Sequence, residues 1–137
     1  MSTIDQLLQY PLGHTVGILS VSILELVVFL ACFELLTSYR CWFEIGKGNL
    51  AAALATGGKI AGICIIIRSV ADKTNIYDFI LWSFIGTLLL FIAYVLFEFV
   101  TPVFRIDREI EARNLAVGII SMCISISLSL VIAASIV

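Results

Sequence analysis

The chain has 137 residues, 61% hydrophobic and only 13% charged, with a formal net charge of −2 and a mean hydropathy of +1.14. A soluble domain of this length cannot hide that much apolar surface, so the expected solvent is lipid. The acidic balance argues against nucleic acid as a partner, and the single histidine, His14, excludes bis-histidine haem ligation within one chain.

In chain order, Ile4, Leu7 and Leu8 come first, at helical spacing and ending at Pro11, the pattern of a short interfacial helix. No Lys or Arg precedes the first apolar run, so a signal peptide is not expected. A membrane-spanning helix needs about 20 mostly apolar residues, and four runs qualify: Gly17–Thr37, Leu50–Val70, Phe79–Val100 and Leu115–Val137. The first carries Glu25 in its interior and the second carries Lys59. Pro102 follows the third, where it stops or bends the helix. The connections Ser38–Asn49, Ala71–Asp78 and Thr101–Asn114 are short, so a single membrane domain fills residues 1–137. The fold class expected is all-α and integral to the membrane.

A polar motif occurs twice. Glu44–Ala51 and Glu109–Ala116 both read E-I-x-x-x-N-L-A, and each follows an apolar run ending in Phe-Glu-x-x-Thr, Phe33–Thr37 and Phe97–Thr101. This implies two tandem two-helix repeats, about 17–70 and about 79–137. Each repeat holds an even number of spans, so the halves share one orientation, with a pseudo-two-fold axis along the membrane normal. The first and third loops carry Arg40, Lys47, Arg105, Arg108 and Arg113, and the N-terminal segment carries no basic residue. These loops are expected on the cytoplasmic side and both termini outside. Tyr39, Trp42 and Phe43 would mark the inner boundary, and Tyr10, Tyr77 and Trp82 the outer one.

Lipid supplies no hydrophobic drive between helices, so small residues mark close contacts. Ala51, Ala55, Gly58 and Gly62 share a face of the second span. In the fourth, Gly118 is followed by Ser121, Ser125 and Ser129. Helix packing is the main reading of both stripes, with hydroxyls bonded one turn back; a hydroxyl-lined path is the alternative. Ionisable groups inside a membrane are costly and often functional. Glu25 and Lys59 lie roughly 18 and 15 Å from the cytoplasmic ends of their helices, at about 1.5 Å per residue. An ion pair between them is the natural expectation, serving either as a register lock or as a proton or cation site. Glu34 and Glu98 recur near the inner rim, Glu44 and Glu109 open the repeated motif, and Asn49 and Asn114 are placed to cap the following helices. Arg68, Asp72 and Asp78 read as outer-boundary rim charges. The i,i+4 pairs of Arg105–Arg113 suggest a short charged cytoplasmic helix, on which Arg105, Arg108 and Glu109 would dock a soluble partner. Cys32, Cys41, Cys64 and Cys123 form no CxxC, so neither a metal site nor a cofactor is expected. The loops carry no catalytic cluster, and an enzyme is not expected.

The Asn49–Gly62 stretch (NLAAALATGGKIAG), the Ile76-Tyr77-Asp78-Phe79 entry, the Pro102 exit and the returning Asn114–Gly118 resemble the YjfL family of small bacterial inner-membrane proteins, a domain of unknown function. The resemblance covers nearly the whole chain. It implies a four-span, internally duplicated protein in a bacterial cytoplasmic membrane, of a kind often encoded near membrane-stress proteins. Asn49, Gly58, Gly62, Asp78 and Asn114 match the family pattern, and Lys59 departs from it. The functional expectation is a non-enzymatic, homo-oligomeric scaffold or component of envelope maintenance. The alternative is a small ion or proton channel or transporter using Glu25 and Lys59.

Overall fold

The computed structural model describes residues 2–37, 39–73, 75–100 and 106–136. Seven helices follow one another among these residues: α1 (Thr3–Gln9), α2 (Pro11–Leu36), α3 (Cys41–Gly46), α4 (Leu50–Val70), α5 (Ile76–Val100), α6 (Ile106–Glu111) and α7 (Leu115–Ser135). The four long helices, α2, α4, α5 and α7, are each long and apolar enough to cross a membrane. No strand is formed among the described residues. From α2 onward the order is long, short, long, and then the same again. Thr101, Pro102 and Arg105 lie outside the described residues.

Local chemistry explains where the elements begin and end. Ser2 and Asp5 form a capping box that starts α1. α2 begins at Pro11, earlier than the apolar run at Gly17 suggested. A proline in the first turn lacks only an N–H that would have no partner there, so it starts the helix instead of stopping it. At 26 residues α2 is about 39 Å long, more than the roughly 30 Å of a hydrocarbon core. α3 and α6 end alike. Gly48 and Arg113 take left-handed backbone conformations, φ 81° and 63°, and each is followed by an asparagine at φ −73°, ψ 98°. Glycine takes the left-handed conformation freely, whereas Arg113 has to be held there by its surroundings.

The centre of the bundle is the α4–α7 contact, the most extensive between any two helices. It is close because the small residues remove side chains from it. A Cβ on Gly118 would stand 2.7 Å from the Ala51 Cα, and one on Gly58 2.7 Å from the Met122 Cα. A Cβ on Gly62 would collide with the Ser129 hydroxyl. Low-numbered residues of α4 meet low-numbered residues of α7, so the two helices run in the same direction. α2 lies outermost, burying only Glu25, Phe29 and Phe33. Two apolar clusters stabilise the rest. One, at the α3 and α6 end, gathers Tyr39, Cys41, Ala55 and Ile110. The other, in the middle, gathers Phe29, Phe33, Ile63, Ile66 and Leu90 with Tyr94.

Of the three aromatics expected at the inner boundary, Tyr39 is 4% exposed and packs inward, whereas Trp42 and Phe43 are each 57% exposed. Tyr39 packs in one cluster with Ile106 and Ile110 of α6, and burial pushes its phenol well above the usual range. Burial likewise raises the Cys41 thiol, against a lowering hydrogen bond from Thr37.

Candidate functional site

Glu25 and Lys59 do not pair with each other, contrary to the ion pair expected from their matching depths. Glu25 is 7% exposed and its carboxylate accepts a hydrogen bond from the Thr87 hydroxyl on α5. Lys59 is 1% exposed. Its ammonium lies 4.4 Å from the centre of the Tyr94 ring and 5.1 Å from that of Phe33, with no hydrogen-bond partner among the described residues. The physical reason is axial. Both side chains meet the same face of α5, but Glu25 does so at Thr87 and Lys59 at Tyr94, about 10 Å further toward the α3 and α6 end at about 1.5 Å per residue.

Two polar regions result. Glu25 lines a groove of about 180 Å³ between α2 and α5, otherwise walled by apolar side chains such as Val28, Phe29 and Phe84. Nearer the α3 and α6 end, a cavity of about 120 Å³ is lined by Thr37, Tyr94, Glu98 and Asp107 among others. Residue-by-residue reading missed Thr87 and Tyr94. Their signal is nonetheless present, because Ser83, Thr87 and Tyr94 fall at i, i+4 and i+11, on one face of α5, and all three are buried.

The serine stripe behaves partly as packing predicts. Ser121, Ser125 and Ser129 are all buried, Ser125 and Ser129 beside Gly62 of α4. Ser129 donates to the Ser125 carbonyl one turn back, the Ser121 hydroxyl lies beside the Tyr94 phenol, and the Ser125 hydroxyl has no partner among the described residues. Gly58, Gly62 and Gly118 are contact points between helices.

The repeated motif forms a clamp at the α3 and α6 end. The Asn49 side chain donates to the Glu44 carboxylate at 3.1 Å and to the Ile110 carbonyl at 2.8 Å, and accepts from the Ala52 N–H at 3.2 Å. Asn114 donates to the Glu109 carboxylate at 2.9 Å but makes no side-chain cap on α7, so the expected pair of caps is realised only at Asn49. Arg113 does not pair with Glu109; it donates to the Lys47 carbonyl at 3.1 Å. Glu44 also has Lys47 at 3.8 Å. Glu109 is thus built into the clamp and is not a free docking residue, while Arg108 and Glu111 are exposed. At the opposite end Arg68 and Asp72 form an exposed pair at 3.3 Å, and Asp78 is exposed in the first turn of α5. Among the described residues no group of acidic, histidine and cysteine side chains is arranged to hold a metal.

Residues 6–136 match the family described as Domain of Unknown Function (DUF350). The chain belongs to the DUF350 family. It is 52% identical over 118 residues to the UPF0719 transmembrane protein YshE of Bacillus subtilis (strain 168), covering 85% of this chain and 88% of that protein. No solved structure matches. The resemblance is thus placed in DUF350, and neither match carries the YjfL name. This DUF350 chain is a multi-pass membrane protein of the bilayer. Neither family description names an activity.

Proposed function

We propose that the chain is a non-enzymatic, homo-oligomeric protein of the bacterial cytoplasmic membrane that moves a proton or a monovalent cation, with Glu25 as the group that takes it up. The observation that carries this reading is that two ionisable side chains within the spans do not neutralise each other. A register lock would have paired them. Glu25 instead has a hydroxyl for a partner and a groove at its side, the surroundings of an acid that binds and releases a small cation within the membrane. The closely packed α4–α7 contact leaves little room for a path through one copy, so the path belongs between copies. The recurrence of long, short and long helices, and the matching turns at Gly48 and Arg113, support a tandem duplication. The basic residues of the α3 and α6 end support a cytoplasmic position for it, with both termini outside.

Proton and alkali-cation flux in proteoliposomes tests the reading. Wild type should conduct under an imposed potential, and Glu25→Gln should lose the flux while keeping its oligomeric state. An absence of flux from folded wild-type protein across several ions, or full flux in Glu25→Gln, would overturn it.

A second reading, an envelope-maintenance scaffold, draws support from the exposed Arg108 and Glu111 on α6, outside the spans. Since Glu109 is held by Asn114, the informative charge reversal is at Arg108 and Glu111. Loss of a soluble partner in pull-downs, with the fold intact, would favour the scaffold.

A further inference from the structure

We propose that Lys59 is a tethered cation filling a cage built for a small organic ammonium ion. Its walls are the rings of Tyr94 and Phe33, and Glu98 and Asp107 line the adjoining cavity. The cage draws on α2, α5 and α6 around a side chain from α4. The Lys59 ammonium stands over two aromatic faces, at 4.4 and 5.1 Å, the arrangement by which π faces hold ammonium groups. The two rings are themselves set edge to face, with centroids 5.6 Å apart, so their positions are mutually supported. Lys59 is 1% exposed and without a hydrogen-bond partner among the described residues. The protein therefore offers this cation ring faces in place of paired acceptors.

The chemistry selects the ligand class. Glu98 and Asp107 line the cavity beside Tyr94, which disfavours an anion such as a phosphate. The aromatic walls favour an alkylammonium over a strongly hydrated metal ion. Tyr94 also lines the cavity of about 120 Å³ shared with Thr37, Glu98 and Asp107, and that cavity is the route by which a diffusible cation would reach the cage. In the native chain Lys59 occupies the cage itself and keeps it closed. This assignment does not depend on Glu25, and a failure of flux leaves it standing.

Chemical rescue tests it. Lys59→Ala removes three methylenes and an ammonium, the atoms of n-propylammonium. Added n-propylammonium should raise the melting temperature of detergent-purified Lys59→Ala saturably, by roughly 3 °C, and leave wild type unchanged. The rise should vanish in Lys59→Ala/Tyr94→Leu. No rise, an equal rise with n-propanol, or an equal rise in wild type would overturn the cage. Lys59→Met, which keeps the volume and removes the charge, supplies the second measurement. It should melt below wild type, and adding Glu98→Gln should recover part of the loss. A Lys59→Met protein as stable as wild type would also overturn the assignment.

Discussion

Asn49 and Asn114 occupy the same place in a repeated motif, with the same backbone angles, yet their side chains have different tasks. Asn49 is 1% exposed and joins three partners from α3, α4 and α6; Asn114 holds only Glu109. Removing a side chain that satisfies several buried groups leaves each of them without a partner. Asn49→Ala should therefore cost about 2–4 kcal/mol and Asn114→Ala about 1 kcal/mol, read from denaturation in detergent; equal losses would contradict the asymmetry. Asp5 supports a pH prediction. Hydrogen bonds from Ser2 and then from Tyr77 hold its carboxyl below the usual 3.8. The tether between α1 and α5 is thus fully present above that value and is lost as pH falls through the lowered one. Amide exchange in α1 should rise over that acid range and lose this dependence in Asp5→Asn.

Between elements, stability rests on how closely α4 and α7 approach. In lipid, dispersion across a close backbone contact does what apolar burial does in water. Gly118→Val would drive a side chain into the Ala51 backbone, whereas a Cβ on Gly57, only one residue from Gly58, meets nothing within 4 Å. Gly118→Val should cost about 1–3 kcal/mol or more, the usual penalty of overpacking, while Gly57→Ala should be neutral or stabilising by up to about 1 kcal/mol. Thermal melts of the two variants decide the point, and a tolerated valine at 118 would mean that the helices can move apart. The small-residue face of α4 is legible in the periodicity of its sequence. The identity of the residues opposite is not, because a sequence stripe says that a helix packs closely without saying against which helix.

For the whole molecule, the distribution of Arg and Lys predicts that the α3 and α6 end faces the cytoplasm. A periplasm-dependent reporter fused after Val137 should be active and a cytoplasm-dependent one silent, and the reverse would invert the orientation. The long apolar exposure of α2, with only Glu25, Phe29 and Phe33 buried, leaves a large lipid-facing surface beside the Glu25 groove. That is the face on which oligomerisation bears most directly, since a cation path between copies would have to pass Glu25.

The pattern of the chain by itself determined four spans, their approximate ends and the repeated turn motif, because each depends on local properties: run length, capping chemistry and the period of small residues. It also put Glu25 and Lys59 at similar depths, by residue count along each helix. Only the tertiary structure decided that they do not meet. The axial offset of each helix and the reach of each side chain are set by packing against all neighbours at once, and they put Glu25 at Thr87 and the Lys59 ammonium further along α5, against Tyr94 and Phe33.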